Sequence, residues 1–300
     1  VVIRQRVHGR TNVLGIGYNP IDNANYFDGA LDEVMIFGTG LSDAEIAALY
    51  NAQSMAPVIG NSVVASYSFA KAGFDDAYGN HATLQDATVA TDRFGYGKSA
   101  LAFNGTSTEV TAPNSSLLNS PTTSIGFWIK MNSLPASGEY FLMSNGGWQE
   151  RWKVSLPGHG KPVFTTNNSS GISDMDSGDG NELVVGEWTH VMMIHDGTKD
   201  KLYLNGALVA DKDVAGDLNA TTQPLGIGYN PIDGGNWADA VIDEVTILNY
   251  ALTDGEVATL YGEQATFPGT VTPEVALYSL NGDGQDDSQF SNSAELLPGA

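Results

Sequence analysis

The sequence predicts an all-β protein whose antiparallel strands form a two-sheet sandwich. Short apolar segments follow one another with turn residues between them, and no helical pattern separates most of them. This arrangement is typical of antiparallel sandwiches. Ile125, Phe127 and Ile129 alternate with other residues in one such segment, which is the period of a half-buried strand. Asn205-Gly206 joins two further segments, and Asn-Gly strongly indicates a hairpin because both residues tolerate a positive φ.

The predicted strands can be placed in order along the best-defined stretch of the chain. Each is a short run of β-branched, aromatic or aliphatic residues bounded by turn residues. They cover 64–69, 99–103, 109–111, 124–130, 140–143, 152–156, 162–166, 188–195, 201–204, 207–210, 225–229 and 241–248.

Two segments depart from this pattern and predict short helices. The sequences Ser-Asp-Ala-Glu at 42–45 and Thr-Asp-Gly-Glu at 253–256 are both capping boxes. In a capping box the hydroxyl and the carboxylate satisfy the free amides of the first helical turn. We expect each helix to close a sandwich by packing its apolar side on the sheet edge.

An internal repeat organises the chain. The sequence Leu-Gly-Ile-Gly-Tyr-Asn-Pro-Ile-Asp at 14–22 recurs at 225–233, which is 211 residues later, and the same offset relates 31–34 to 242–245. Tandem repeats of period 211 are therefore predicted. The predicted parts are the C-terminal part of one repeat at 1–53, a linker at 54–63, a complete repeat at 64–262, a linker at 263–274 and the start of a third repeat at 275–300.

The incomplete repeats at the two ends have two explanations. The first is that the 300 residues are a window on a longer array. The alternative is that neighbouring chains complete the partial repeats by donating strands.

Composition excludes several classes of protein. With 13 Lys and Arg against 35 Asp and Glu, the net charge is −22, which disfavours binding to nucleic acid or to anionic membranes. The absence of cysteine excludes disulfides, thiolate metal sites and cysteine nucleophiles. No apolar run approaches the roughly 20 residues needed to span a membrane.

Several motifs occur together in one order. They are Tyr-Ser-Phe at 67–69, the glycine-flanked segment 97–105, Phe-Trp-Ile at 127–129, Trp-Thr-His-Val at 188–191, Leu-Tyr-Leu-Asn-Gly at 202–206 and Ile-Asp-Glu-Val at 242–245. In this order they resemble the laminin-G-like, concanavalin A-like lectin/glucanase superfamily, in the form common in bacterial surface proteins. The resemblance implies a jelly-roll sandwich, an extracellular or cell-surface location, and a role in glycan binding, adhesion or architecture.

Catalysis is not expected. Glycosidases of the superfamily carry two acidic residues in a Glu-x-Asp-x-x-Glu strand motif, and glycoside hydrolysis needs such a pair of carboxyl groups. The sequence has no such motif, and its nearest cluster is Asp239, Asp243 and Glu244. Asp243 and Glu244 are adjacent, so on a strand they should face opposite sides.

The resemblance also implies a structural calcium ion. In family members the ion joins an acidic residue of an early loop to the Asp of the Ile-Asp-Glu-Val segment. The matching residues are Asp75 or Asp76 together with Asp243, and Asp32 is the equivalent of Asp243 in the first repeat. The alternative is that Asp243 only accepts hydrogen bonds from loop amides.

Aromatic and polar residues suggest a glycan site. Trp148 and Trp152 flank a polar segment that contains Arg151, and Trp237 lies in the loop 231–239. Exposed tryptophans can stack on sugar rings, although simple packing of Trp148 and Trp237 is the alternative. Trp128 and Trp188 lie in predicted strands and are expected in the core.

The sequence therefore predicts a non-catalytic, extracellular array of repeats whose partners are glycans or extracellular matrix, with neighbouring repeats or chains as further candidates. The first alternative is a purely structural repeat of a surface fibre or filament. The second is an accessory carbohydrate-binding region of a larger polysaccharide-degrading enzyme. Neither nucleic-acid binding nor membrane insertion is expected.

Overall fold

The computed structural model describes residues 14–22, 24–29, 31, 34–37, 40–41, 46, 62–69, 73, 75, 77–95, 97, 99–265 and the strand 274–278. The chain divides into two compact units, one formed by residues 1–51 and 268–300 and the other by residues 52–267. The second unit holds most of the described strands.

One sheet of this unit has seven strands. Their order across the sheet is β11, β10, β9, β8, β15, β6 and β3, and every neighbouring pair is antiparallel. The strands are β3 (Thr83–Gln85), β6 (Glu109–Ala112), β8 (Glu139–Asn145), β9 (Trp152–Pro157), β10 (Val163–Asn168), β11 (Gly171–Asp176) and β15 (Leu225–Ile227).

The other sheet has eight strands. Seven follow the order β14, β13, β12, β7, β16, β5 and β4, and β2 pairs with the second half of β16. The strands are β2 (Val63–Tyr67), β4 (Thr88–Ala90), β5 (Ala100–Asn104), β7 (Thr123–Met131), β12 (Trp188–His195), β13 (Lys199–Leu204), β14 (Ala207–Asp213) and β16 (Asp239–Leu248). The predicted antiparallel two-sheet sandwich is therefore confirmed.

The core lies between the two sheets. Ile125, Phe127 and Ile129 of β7 are buried there, as their alternation predicts. From the seven-stranded sheet, Val154 and Phe164 belong to the same buried cluster. Burial of this apolar surface is the main stabilising contribution to the sandwich.

A long helix, Asp254–Ala265, packs on the outer face of the eight-stranded sheet. The predicted capping box forms, since the amide of Thr253 donates to Glu256 Oε2 at 2.7 Å and the amide of Glu256 donates to Thr253 Oγ1 at 3.3 Å. The helix contacts the face of the sheet rather than its edge, because its apolar residues meet outward side chains of three strands. The buried residues of this cluster are Met192, Ile194, Tyr203, Leu248, Leu252, Val257 and Leu260.

Two other helical segments are short: the 3-10 helix Ser116–Asn119 and the helix Gly147–Glu150. The capping box expected at 42–45 lies outside the described residues. Among the described residues, no helix has the length and apolar character required to span a bilayer.

The predicted hairpin at Asn205-Gly206 joins β13 to β14. Both turn residues have positive φ values, 49° for Asn205 and 77° for Gly206. A Cβ atom on Gly206 would lie 2.7 Å from Cδ1 of Tyr261 in the long helix. Glycine is therefore required here for its backbone conformation and also for the close approach of the helix.

We expect Gly206→Ala to lower the free energy of unfolding by about 2–4 kcal/mol, because strain at a positive φ adds to the overlap with Tyr261. Chemical denaturation measures this change. Gly138→Ala is the matched control, because Gly138 also has a positive φ, 68°, but no atom lies within 4 Å of its added Cβ. An equal loss in both variants would contradict the contact with the helix.

In the other unit, β1 (Val34–Phe37) pairs with β17 (Glu274–Tyr278). Val34 lies opposite Tyr278, and in the larger unit Val245 lies opposite Tyr67. Each residue of the first pair is 211 positions from its counterpart in the second. The sequence repeat thus extends to the register of a strand pair, while the predicted domain boundaries stay a prediction.

Candidate functional site

A loop, residues 228–238, lies against the outer face of the seven-stranded sheet. Pro231 packs over β15 so closely that a Cβ on Gly226 would lie 2.8 Å from its Cδ. The far end of the loop is fixed to β8: the amide of Phe141 donates to the carbonyl of Asn236 at 2.8 Å, and Asn236 Nδ2 donates to the carbonyl of Glu139 at 2.9 Å. The loop is therefore held at both ends on the sheet.

The short helix Gly147–Glu150 meets this loop. Gln149 Nε2 donates to Asp233 Oδ2 at 3.4 Å, and a Cβ on Gly147 would lie 3.2 Å from Cδ1 of Ile232. The side chain of Trp148 on this helix is 43% exposed. The structure therefore brings together the two segments that carry Trp148 and Trp237, although they are far apart in the sequence.

Trp237 lies at the other end of the loop. It is half-buried, and its Nε1 donates to Glu109 Oε1 on β6 at 3.2 Å. We call Trp148, Gln149, Asp233, Asn236 and Trp237 the tryptophan face. This surface presents aromatic rings beside amide and carboxylate groups, which is the composition of many small-molecule sites.

Hydrogen bonds from neighbouring segments hold the short helix in place. Glu150 accepts hydrogen bonds from Thr221 Oγ1 and, at 3.3 Å, from Gln223 Nε2. Asn167 Nδ2 donates to the carbonyl of Gln149 at 2.8 Å. These contacts fix the backbone that carries Trp148, so its ring is presented by an ordered segment.

Two residues of the predicted glycan site are buried and need correction. Trp152 is 1% exposed and belongs to the core, because it begins β9 with the inward alternation of Val154 and Leu156. Its ring therefore cannot stack on a ligand at the surface. Trp128 is buried, as expected, but on the outer face of its sheet beneath the long helix.

Arg151 is also fully buried. Its Nη1 donates to the carbonyl of Asn219 and its Nη2 to the carbonyl of Ser120, each at 2.6 Å. Burial lowers the pKa of Arg151 to about 10. The guanidinium thus joins two loops inside the protein and does not reach a surface ligand.

The residues of the predicted calcium site have other partners. The carboxylate of Asp75 accepts four hydrogen bonds from backbone amides, at distances of 2.8 to 3.2 Å. The donors are Ser66, Ala77, Tyr78 and Asn80. Asp75 therefore caps its own loop, an arrangement that leaves little room for a cation.

Asp243 forms a buried ion pair, with its Oδ2 2.6 Å from Arg93 Nη1. Burial raises the pKa of Asp243 above its ordinary value, and the nearby guanidinium opposes this rise. Within the described part of the chain, no three acidic or histidine side chains form a metal-binding group. Asp75 and the Oδ2 atom of Asp243 are thus engaged by protein donors, whereas Asp243 Oδ1 is buried without a hydrogen-bond partner among the described residues. Asp76 and Asp32 lie outside the described residues, so the calcium site stays a prediction.

Two carboxylates of the cluster that comes nearest to the glycosidase motif, Asp239 and Asp243, also have protein partners. Asp239 accepts hydrogen bonds from Asn132 Nδ2 at 3.0 Å and from Ser133 Oγ at 2.5 Å. Asp243 is committed to Arg93. These contacts fix the orientation of both carboxylates in the fold.

Sequence reasoning missed a buried group beneath the long helix. The imidazole of His190 lies 5.4 Å from the ring of Trp128 and 5.7 Å from that of Tyr261, measured between centroids. His195, on the opposite face of the same strand, bonds to Asp200 at 2.7 Å. A spacing of five residues along a strand places two side chains on opposite faces, but no local pattern indicates their partners.

Comparisons with known proteins agree with this architecture. A sequence profile of the concanavalin A-like lectin/glucanases superfamily matches residues 104–258. No curated protein matches the chain. Eight of the solved structures that match it share 15–21% sequence identity with the chain, so they support the fold alone.

Two similar structures are toxin binding domains. The binding domain of Paraclostridial Mosquitocidal Protein 1 has a TM-score of 0.54 and 20% identity, covering 68% of this chain and 52% of its own. The binding domain of botulinum neurotoxin serotype G has a TM-score of 0.54 and 19% identity, with coverages of 68% and 51%. The chain thus spans about half the length of these domains.

A third similar structure is domain 4 of AbnA, a GH43 extracellular arabinanase from Geobacillus stearothermophilus, in complex with arabinotriose. Its TM-score is 0.54 and its identity 21%, covering 67% of this chain and 98% of that domain. The sandwich described above is therefore similar to almost the whole of that domain.

Proposed function

The chain belongs to the concanavalin A-like lectin/glucanases superfamily, and on that premise we propose that residues 52–267 form a non-catalytic module that binds glycans through the tryptophan face. The observation that carries the proposal is the exposed ring of Trp148 on a fixed helix that contacts the loop of Trp237. An exposed indole offers an apolar face to the C–H groups of a sugar ring. Gln149 and Asp233 beside it can bond to hydroxyl groups.

The setting we propose is a secreted or cell-surface protein of bacterial type, in which the module serves adhesion to glycans or matrix. The strongly acidic composition supports this, because a net charge of −22 keeps a protein soluble and disfavours nucleic acid. The likeness to one domain of an extracellular arabinanase supports the related proposal of an accessory module in a larger polysaccharide-degrading enzyme.

Trp148→Ala and Trp237→Ala test the proposed site. We expect each to weaken binding to a bound polysaccharide by about ten-fold or more, because truncating a stacked tryptophan typically removes well over 1 kcal/mol. Affinity electrophoresis against arabinan, galactan, xylan, mannan and β-glucan finds the ligand, and isothermal titration calorimetry with its oligosaccharides gives the affinity.

Trp188→Ala is the matched control. Trp188 is a half-buried tryptophan of the eight-stranded sheet, with Lys130 Nζ 5.2 Å from its ring. Its removal should leave the affinity unchanged. The proposed site would be wrong if Trp188→Ala weakened binding as much as Trp148→Ala, or if Trp148→Ala and Trp237→Ala both bound normally.

A second function, a structural repeat of a surface fibre, is favoured by one observation. The strand pair β1–β17 joins segments of two different partial repeats in the register that β16 and β2 use within one repeat. If such pairing also operates between chains, the 300-residue protein should form concentration-dependent oligomers. Sedimentation velocity measures this, and a monomer at all concentrations would count against the fibre.

A further inference from the structure

We propose that the tryptophan face selects uncharged glycans and rejects acidic ones such as uronates, sialylated sugars and sulfated sugars. This inference rests on the proposed glycan-binding function and names the ligand class of the same site. It follows from the charges that the described residues place around the two tryptophans.

Carboxylates surround the face on several elements. Asp233 belongs to it, Glu109 accepts the hydrogen bond of Trp237, and Glu150 ends the helix that carries Trp148. Glu139 lies where Asn236 is attached to β8. A carboxylate accepts hydrogen bonds readily, so exposed Asp233 suits the hydroxyl donors of a neutral sugar, while the other carboxylates add negative charge around it.

Among the described residues Lys153 offsets the charge of Glu139, but no lysine or arginine forms an ion pair with Asp233, Glu109 or Glu150. Lys153 is only 7% exposed, its Nζ forms an ion pair with Glu139, and it lies 4.8 Å from the centroid of the Phe141 ring. Arg151 is fully buried against two backbone carbonyls. Both positive groups are thus committed inside the protein and cannot move to meet an anion without breaking these contacts.

The next lysine along this sheet is also committed. Lys161 follows β9, and its Nζ lies 2.9 Å from Asp179 Oδ1 and 3.8 Å from Asp176 Oδ2. Recognition of an anionic sugar depends on charge-assisted bonds from arginine or lysine. An acidic residue of a glycan placed on the tryptophan face would instead meet like charges, which repel it locally.

The net charge of the whole protein also disfavours the binding of acidic glycans. A protein of net charge −22 repels polyanions at long range and slows their association. This long-range repulsion is screened by salt, whereas repulsion between groups in contact is screened less. Salt dependence therefore separates the contribution of the face from that of the whole protein.

The test compares each neutral polysaccharide that the protein binds with its carboxymethylated and its hydroxyethylated forms. Both modifications replace hydroxyl hydrogens by substituents of similar size, and the carboxymethyl group alone adds negative charge. We expect the affinity for the carboxymethylated form to be lower by a factor of about ten or more. Part of this difference in affinity should persist at about 0.5 M salt. Affinity electrophoresis and calorimetry measure all of these forms.

Two double variants test whether the weaker binding of the carboxymethylated form arises at the tryptophan face. Glu109→Gln combined with Asp233→Asn removes one charge from the tryptophan face and one beside it, and each amide keeps one acceptor oxygen. This double variant should narrow the difference in affinity between the neutral and the carboxymethylated polysaccharide. Glu187→Gln combined with Asp213→Asn removes the same charge from exposed positions elsewhere and should leave the difference unchanged. An equal effect of the two double variants would overturn the assignment of selectivity to the tryptophan face.

The experiments distinguish a failure of the proposed selectivity from a failure of the proposed glycan binding. If the carboxymethylated form binds as tightly as the neutral one and binding still depends on Trp148, the selectivity is wrong and the glycan site stands. If no polysaccharide of either charge binds in a Trp148-dependent way, the proposed function is wrong and the inference falls with it.

Discussion

Replacing Arg93 with methionine is expected to lower the free energy of unfolding by about 3–5 kcal/mol, because it leaves a carboxylate buried without its counter-ion. Asp243 is 1% exposed, and its Oδ2 lies 2.6 Å from Arg93 Nη1. Removing one partner of a buried pair costs far more than removing both, since the remaining charge must be desolvated or neutralised.

Arg93 also connects three parts of the fold. Its Nε and Nη2 donate to the carbonyl of Gln264 near the end of the long helix, at 3.0 and 2.7 Å. Its guanidinium carbon lies 4.3 Å from the centroid of Phe94 and 4.8 Å from that of Trp128. The substitution therefore loosens the long helix as well as the ion pair.

Urea unfolding followed by circular dichroism measures the loss. Arg93→Met combined with Asp243→Leu should recover much of the stability, because the pair is then removed as a whole. Lys199→Met is the control for an exposed pair with Asp211 and should change stability by less than about 1 kcal/mol. A loss for Arg93→Met no larger than this control would contradict the argument.

The same unfolding experiment tests the calcium prediction. An ion that binds only the native state raises the unfolding midpoint with its concentration. Because Asp75 and Asp243 are both engaged by protein donors, we expect the wild-type midpoint to be equal in calcium and in chelator. A clear rise with calcium would restore the predicted site and point to Asp76.

Local patterns in the sequence predicted much of the fold. The alternation in β7, the Asn205-Gly206 turn and the capping box at 253–256 each depend on neighbours along the chain, and all three are found. Such features are set by backbone geometry over a few residues, so they can be recognised without knowing the partners in space.

The partners across the fold could not be predicted in this way. Arg93 and Asp243 are 150 residues apart, and no local pattern relates them. Trp152 follows a polar turn, so its inward direction depends on the register of β9 with its neighbours rather than on composition. The contact between the helix of Trp148 and the loop of Trp237 likewise arises only when β8 and β15 pair.

His190 should make the protein sensitive to acid. It is fully buried, and neither ring nitrogen has a hydrogen-bond partner within the described structure. Burial, and secondarily the positive charge of Arg93, lowers the pKa of His190 to about 3. In the unfolded chain the imidazole has a pKa of about 6.5.

The sign of the pH dependence follows from this difference. The folded-state pKa is depressed, so below pH 6.5 the unfolded chain takes up a proton that the folded protein does not accept until about pH 3. The contribution of His190 to stability is complete above about pH 6.5 and is lost as the pH falls. Between pH 7.5 and 4.5 the loss should be about 2–3 kcal/mol.

His190→Met should remove this part of the pH dependence. At pH 7.5 the variant should be as stable as the wild type or slightly more stable, because an apolar side chain replaces two nitrogens without partners. His159→Gln, at an exposed position, is the control and should keep the wild-type profile. Other groups titrate in the wild type and in both variants. The decisive quantity is therefore the loss of unfolding free energy between pH 7.5 and pH 4.5, compared between each variant and the wild type. If His190→Met loses as much stability in acid as the wild type, the imidazole does not stay neutral in the folded protein, and the packing beneath the long helix must admit a proton or a water molecule.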